Sequence, residues 1–136
     1  MIYRAPAAYG ELNDDVAQIL LTAEEIDQRV DGMARQVSED YAGRNPVLVG
    51  VLKGVVPFIA DLLRLITIPV EVDFMAVASY SPEARDRGMV RLVKDLEIPI
   101  TDRHVLFVED VIDTGLTLSY VLRTLQTRQP ASLEVC

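Results

Sequence analysis

Residues 47–52 are the feature that most restricts the fold, because every position in this run is apolar or glycine. A strand that is apolar at consecutive positions is buried on both faces, which is typical of a parallel sheet covered by helices. A helical pattern follows the run, with Ile59 and Leu62 on one face. The same order of apolar run and helical pattern recurs at residues 105–108 and 118–125. We therefore predict an α/β fold with a parallel twisted sheet flanked by helices.

Other segments fit the same plan. Thr22 and Glu25 have the spacing of a capping box, in which a hydroxyl and a carboxylate satisfy the first amides of a helix. The sequence 42–46, which contains glycine and proline, is expected to end that helix. Three further runs are predicted as strands: residues 70–78, 89–95 and 132–136.

Composition limits the class of protein. The 136 residues fit one domain, and 13 Lys and Arg against 21 Asp and Glu give a formal charge of −8. Such an acidic chain lacks the basic face that binding to nucleic acid requires. One cysteine allows no internal disulfide, and the apolar stretches are shorter than the ~18 residues of a membrane helix. We expect a cytoplasmic protein with no nucleic-acid or membrane partner.

The residues that say most about function follow the apolar run 105–108. Two adjacent acids, Glu109 and Asp110, stand at the predicted strand end, where their charges repel unless a cation or several hydroxyls meet them. Asp113 and the hydroxyl- and glycine-containing sequence 114–117 then lead into a helix, whose first amides can hold an anion. Acids that can bind hydroxyls, next to amides that can bind phosphate, are the groups that a sugar-phosphate site needs. The alternative is that Asp113 or Thr114 simply caps the helix.

The run 105–117 resembles the signature of the phosphoribosyltransferase family: an apolar strand, two acids, two apolar residues, Asp-Thr-Gly, a variable residue and Thr. Two other stretches resemble the hypoxanthine-guanine branch. Leu52-Lys53-Gly54 is similar to its pyrophosphate-binding loop, and residues 72–80 are similar to the strand that leads into its mobile catalytic loop. The resemblance extends over residues 17–136 and implies the type I phosphoribosyltransferase fold in a single domain, 1–136.

The resemblance also implies roles for individual residues. In the family, the acids that match Glu109 and Asp110 hold the ribose hydroxyls and, in our assignment, Mg²⁺. The acid that matches Asp113 is the candidate base or acid at a purine ring nitrogen. The peptide that matches Lys53-Gly54 can adopt a cis form. The remaining implied substrate contacts are Lys53 and Gly54 at pyrophosphate, Thr114, Gly115, Leu116 and Thr117 at the 5-phosphate, and Ser79 and Tyr80 at the start of a mobile catalytic loop over residues 79–90.

The implied reaction is transfer of phosphoribosyl from phosphoribosyl pyrophosphate to hypoxanthine or guanine, which gives IMP or GMP and pyrophosphate in purine salvage. Magnesium as cofactor and a homo-oligomer, dimer or tetramer, are implied with it. A phosphoribosyltransferase for xanthine or a pyrimidine, or a regulatory protein that kept the fold, are the alternatives. The family segment after the last strand, which carries the base-reading lysine and a stacking aromatic, matches no residue here, so we expect a chain truncated at its C-terminal side.

Overall fold

The structure is a computed structural model that describes residues 19–79 and 90–136. Within these residues it contains three helices and five strands. In chain order they are α1 (Ala23–Asp40), β1 (Val47–Val51), α2 (Val56–Leu65), β2 (Glu71–Ser79), β3 (Val90–Lys94), β4 (His104–Val108), α3 (Leu116–Gln126) and β5 (Ser132–Val135). The residues between β2 and β3, which include most of the predicted catalytic loop 79–90, lie outside the described part. The single domain 1–136 stays a prediction.

The five strands form one sheet in the order β3-β2-β1-β4-β5. The predicted parallel sheet is confirmed for four strands, since β1 pairs parallel with β2 and β4, and β4 pairs parallel with β5. β3 instead pairs antiparallel with β2, so the sheet is mixed. Ten residues, 80–89, connect these two strands, whereas a parallel return needs a crossover of about a dozen or more.

Helices cover both faces of the sheet. On one face α1 and α2 pack against Leu48, Leu106 and Val108, and on the other α3 packs against the opposite side chains of β1 and β4. Gly50 allows the close approach of α2, because a Cβ at this position would lie 2.6 Å from Cδ1 of Ile59. The predicted burial of residues 47–52 on both faces is therefore observed for β1, whose first four residues are fully buried.

The predicted capping box begins α1. The Thr22 hydroxyl accepts the Glu25 backbone N–H at 3.2 Å, and the Glu25 carboxylate accepts the Thr22 N–H at 2.7 Å. Among the residues that the structure describes, no helix is both long enough and apolar enough to cross a membrane.

Asp73 is a buried carboxylate in β2 whose role the sequence pattern did not indicate. Its oxygens accept the backbone N–H groups of Phe74 at 2.7 Å, Glu97 at 2.6 Å and Ile98 at 2.8 Å, and Lys94 Nζ lies 3.6 Å away. Burial acts to raise the pKa of Asp73, but these donors outweigh it and hold the pKa below its usual value. The carboxylate thus ties β2 to the chain that follows β3.

Candidate active site

The candidate site lies where the strand order reverses. From β1 the chain passes to β2 on one side and later to β4 on the other, and β1 and β4 are adjacent and parallel. Ligands of open α/β sheets bind at such a point, beyond the carboxyl ends of the strands. The turn after β1 and the loop after β4 therefore lie side by side, and they contain nearly all of the residues that the sequence singled out.

The loop after β4 and the start of α3 surround a cavity of about 300 Å³. Gly115, the N-cap of α3, has φ of 76° and no side chain to cap the helix. Thr114 Oγ1 accepts the Leu116 N–H at 3.3 Å, so this amide has a local partner. The next amides of a first helical turn have no partner within the helix and suit an anion. The lining residues are Val51, Glu109, Val111, Ile112, Asp113, Thr114, Gly115, Leu116, Thr117 and Leu118.

Glu109 and Asp110 form a crowded acid pair at the end of β4. The Glu109 N–H donates to the carbonyl of Cys136 at 3.1 Å, which fixes the backbone of the pair beside β5. Burial raises the pKa of Glu109 to about 7, and a side-chain hydrogen bond with Asp110 and the charge of Asp110 act in the same direction. An incoming cation or a set of hydroxyl donors would relieve this repulsion.

The turn after β1 carries Lys53 and Gly54, both exposed. A cis peptide bond is present here, but it joins Leu52 to Lys53. The resemblance implied that Lys53-Gly54 can be cis, and in this structure the cis bond lies one residue earlier. Gly54 lies against Asp110, since a Cβ on it would be 2.9 Å from Oδ2 of that residue.

The structure thus brings most of the predicted site residues to one edge of the sheet. Asp113, Thr114, Gly115, Leu116 and Thr117 line the cavity, together with Glu109. Lys53 and Gly54 lie on the neighbouring turn. Ser79 ends β2, the strand next to β1, and Tyr80 lies outside the described residues. Sequence reasoning did not indicate that Val51 lines the cavity or that Gly54 contacts Asp110, because both depend on how β1 and β4 pair.

The Glu109–Asp110 pair could hold a divalent cation only together with ligands from substrate or water. In the described ranges, 19–79 and 90–136, no cluster of three or more acid, histidine or cysteine side chains could hold a metal ion. Mg²⁺, however, is commonly held by one or two carboxylates together with substrate phosphates and waters. The Glu109–Asp110 pair supplies two adjacent carboxylates and therefore fits an ion that arrives with a phosphorylated ligand.

Comparisons with known proteins agree with this geometry. Residues 17–136 match the sequence model of the phosphoribosyl transferase domain. The chain is 46% identical to a hypoxanthine-guanine phosphoribosyltransferase from Mycobacterium avium, with 96% of this chain and 68% of that protein covered. A solved hypoxanthine phosphoribosyltransferase from Staphylococcus aureus has a TM-score of 0.87 at 36% identity, with 93% of this chain and 69% of that chain covered.

A third similar protein is a hypoxanthine phosphoribosyl transferase from Trypanosoma cruzi, solved in work on how its C-terminal region affects oligomeric state and enzymatic activity. It has a TM-score of 0.80 at 40% identity, and the match covers 88% of this chain and 66% of that chain. The chain spans 63% to 69% of the length of the curated relatives it matches.

Proposed function

The chain belongs to the phosphoribosyltransferase family, in its hypoxanthine-guanine branch, and from this membership we propose that it provides the sugar-phosphate half of a purine-salvage enzyme. The enzyme transfers phosphoribosyl from phosphoribosyl pyrophosphate to hypoxanthine or guanine and releases pyrophosphate. The observation that carries the proposal is the placement of an acid pair and of a cavity at the start of α3 beside the adjacent ends of β1 and β4.

Each part of the substrate has a matching chemical group in this proposal. Glu109 and Asp110 accept hydrogen bonds from the ribose hydroxyls, which removes the repulsion between the two carboxylates. The first amides of α3 and the Thr117 hydroxyl bind the 5-phosphate. Lys53 and the backbone of Gly54 meet the pyrophosphate from the neighbouring turn.

Catalysis in this proposal rests on positioning and charge. The bond between the anomeric carbon and the pyrophosphate oxygen breaks as the purine nitrogen bonds to that carbon, which carries positive charge in between. Residues that hold the 5-phosphate, the ribose and the pyrophosphate in place therefore lower the barrier. Asp113 holds or accepts the proton at a purine ring nitrogen. Bound Mg²⁺ would neutralise charge on the leaving pyrophosphate. Glu109 and Asp110 would help to hold the metal ion.

The proposal extends to three further features. Ser79 and Tyr80 contact the substrates at the start of a catalytic loop that closes over them. The enzyme assembles as a homo-oligomer. In the similar Trypanosoma cruzi protein, the C-terminal region was studied for its role in the oligomeric state. Its location is the cytoplasm, consistent with a chain that contains one cysteine.

The proposal is tested with the 136-residue chain expressed alone. We expect it to bind phosphoribosyl pyrophosphate in the presence of Mg²⁺, measured by calorimetry, because the acid pair, the phosphate cavity and the turn after β1 all lie within it. We expect little or no purine turnover, because the base-reading lysine and the stacking aromatic of the family match no residue in this sequence.

A matched control is the variant with Glu109→Ala and Asp110→Ala, which should lose binding. No binding by the parent chain would contradict the sugar-phosphate assignment. Turnover equal to that of a longer relative would show that residues 1–136 already contain a base pocket.

Replacing Thr117 with Val is expected to raise the Michaelis constant for phosphoribosyl pyrophosphate about tenfold. Thr117 lines the cavity at the first turn of α3, and valine keeps the shape of the side chain but cannot donate to a phosphate oxygen, a charged acceptor. Steady-state kinetics on the gene product that contains these residues measure the change. Thr124→Val is the control, because the Thr124 hydroxyl donates to the Tyr120 carbonyl farther along α3. Equal constants for Thr117→Val and the parent would show that the hydroxyl does not contact phosphate.

A further inference from the structure

Gly54 and Asp110 come from different loops and meet at the candidate site. A Cβ built on Gly54 would lie 2.9 Å from Oδ2 of Asp110 and 3.5 Å from its Cγ and Oδ1. Real Cβ atoms are essentially never found closer than 3.0 Å to another heavy atom. Any side chain at position 54 would therefore require the Asp110 carboxylate to move.

The backbone does not explain the glycine at this position. Among the described glycines only Gly43 and Gly115 have positive φ, so the conformation of Gly54 is open to other residues. Packing of the core does not explain it either. At Gly50 the nearest atoms belong to the buried side chains of Ile59 and Val55, whereas the atoms near Gly54 all belong to one exposed acid.

Asp110 is also the direct chain neighbour of Glu109, the other member of the acid pair. Because Asp110 is exposed, its side chain can turn away without disturbing the core. A methyl group at position 54 should therefore alter the arrangement of the acid pair and leave the stability of the fold nearly unchanged.

We propose that Gly54 is a positioning residue for the acid pair: its lack of a side chain lets the Asp110 carboxylate rest against the turn after β1, in the orientation that meets a ribose hydroxyl. The inference rests on the proposed function and adds a second role for Gly54, beyond any contact between its backbone and pyrophosphate. The positioning role affects every ligand that contains the ribose, whereas the backbone contact affects only ligands that carry pyrophosphate.

The test compares Gly54→Ala with the parent in binding to phosphoribosyl pyrophosphate and to ribose 5-phosphate, which lacks the pyrophosphate group. If Gly54 acts through Asp110, both ligands lose affinity by a similar factor, about tenfold, because a hydrogen bond to a charged acceptor is weakened in each. A crystal structure of Gly54→Ala should show the Asp110 carboxylate displaced, with the midpoint of thermal unfolding close to that of the parent.

Gly32→Ala is the matched control, since a Cβ at Gly32 in α1 would meet nothing within 4 Å, and binding should match the parent. Weaker phosphoribosyl pyrophosphate binding with unchanged ribose 5-phosphate binding would overturn the inference in favour of a direct pyrophosphate contact. An unmoved Asp110 in the variant would also overturn it. Failure of the parent to bind either ligand would instead contradict the proposed function, and the inference with it.

Discussion

Replacing Asp113 with Asn is expected to lower the rate of nucleotide formation at least about 100-fold, the usual contribution of a positioned acid or base. The dissociation constant for phosphoribosyl pyrophosphate should change less than about threefold. Asp113 is exposed and lines the cavity at the point where the loop turns into α3. Asparagine preserves the size of the side chain and its ability to accept a hydrogen bond, but it cannot take up a proton from a purine.

The measurement is purine-dependent release of pyrophosphate by the gene product that contains these residues, together with direct binding of phosphoribosyl pyrophosphate. Asp102→Asn is the matched control, because Asp102 precedes β4 and so lies at the opposite edge of the sheet from Asp113. Turnover of Asp113→Asn at the parent rate would exclude the proton-transfer role and leave the simpler reading, in which Asp113 only shapes the start of the helix.

Replacing Asp73 with Ala is expected to lower the free energy of unfolding by at least about 3 kcal/mol, since hydrogen bonds to a charged group typically contribute about 1.5–3 kcal/mol each. Three backbone N–H groups donate to this carboxylate, from Phe74, Glu97 and Ile98. Alanine leaves these donors unpaired in a partly buried turn. Urea unfolding at neutral pH measures the change.

The control for this prediction is Asp95→Ala, which removes an exposed carboxylate from the same turn. Asp95 accepts the Leu96 N–H and pairs with Arg128 at the surface, where an ion pair contributes at most about 1 kcal/mol. Equal losses of stability in Asp73→Ala and Asp95→Ala would contradict a special role for the buried carboxylate.

The stability difference between the parent and Asp73→Ala should depend on pH. The pKa of Asp73 in the folded chain is below its usual value, so the carboxylate stabilises the fold fully above the ordinary Asp range, about pH 4. That contribution is lost as pH falls through the lowered folded-state pKa. The difference measured at about pH 7 should therefore shrink as the pH falls below about 4, and a constant difference would show that the charge is not what stabilises the turn.

The sequence by itself determined the type and order of the elements. Residues 47–52 and 105–108 are apolar without interruption, so the two central strands had to be buried on both faces. The capping box fixed the start of α1 because Thr22 and Glu25 interact locally. The motif from Glu109 to Thr117 could be identified for a related reason: its chemistry lies in residues that are neighbours in the chain.

Only the tertiary structure decided which distant residues meet. The contact between Gly54 and Asp110 follows from the parallel pairing of β1 with β4, and the Asp73 network follows from the antiparallel return of β3. Val111 and Ile112 are apolar yet 71% and 57% exposed, which composition alone would not indicate. Local patterns record how each segment folds, whereas contacts between segments far apart in the chain depend on the order and direction of strands, and no short stretch of sequence contains that information.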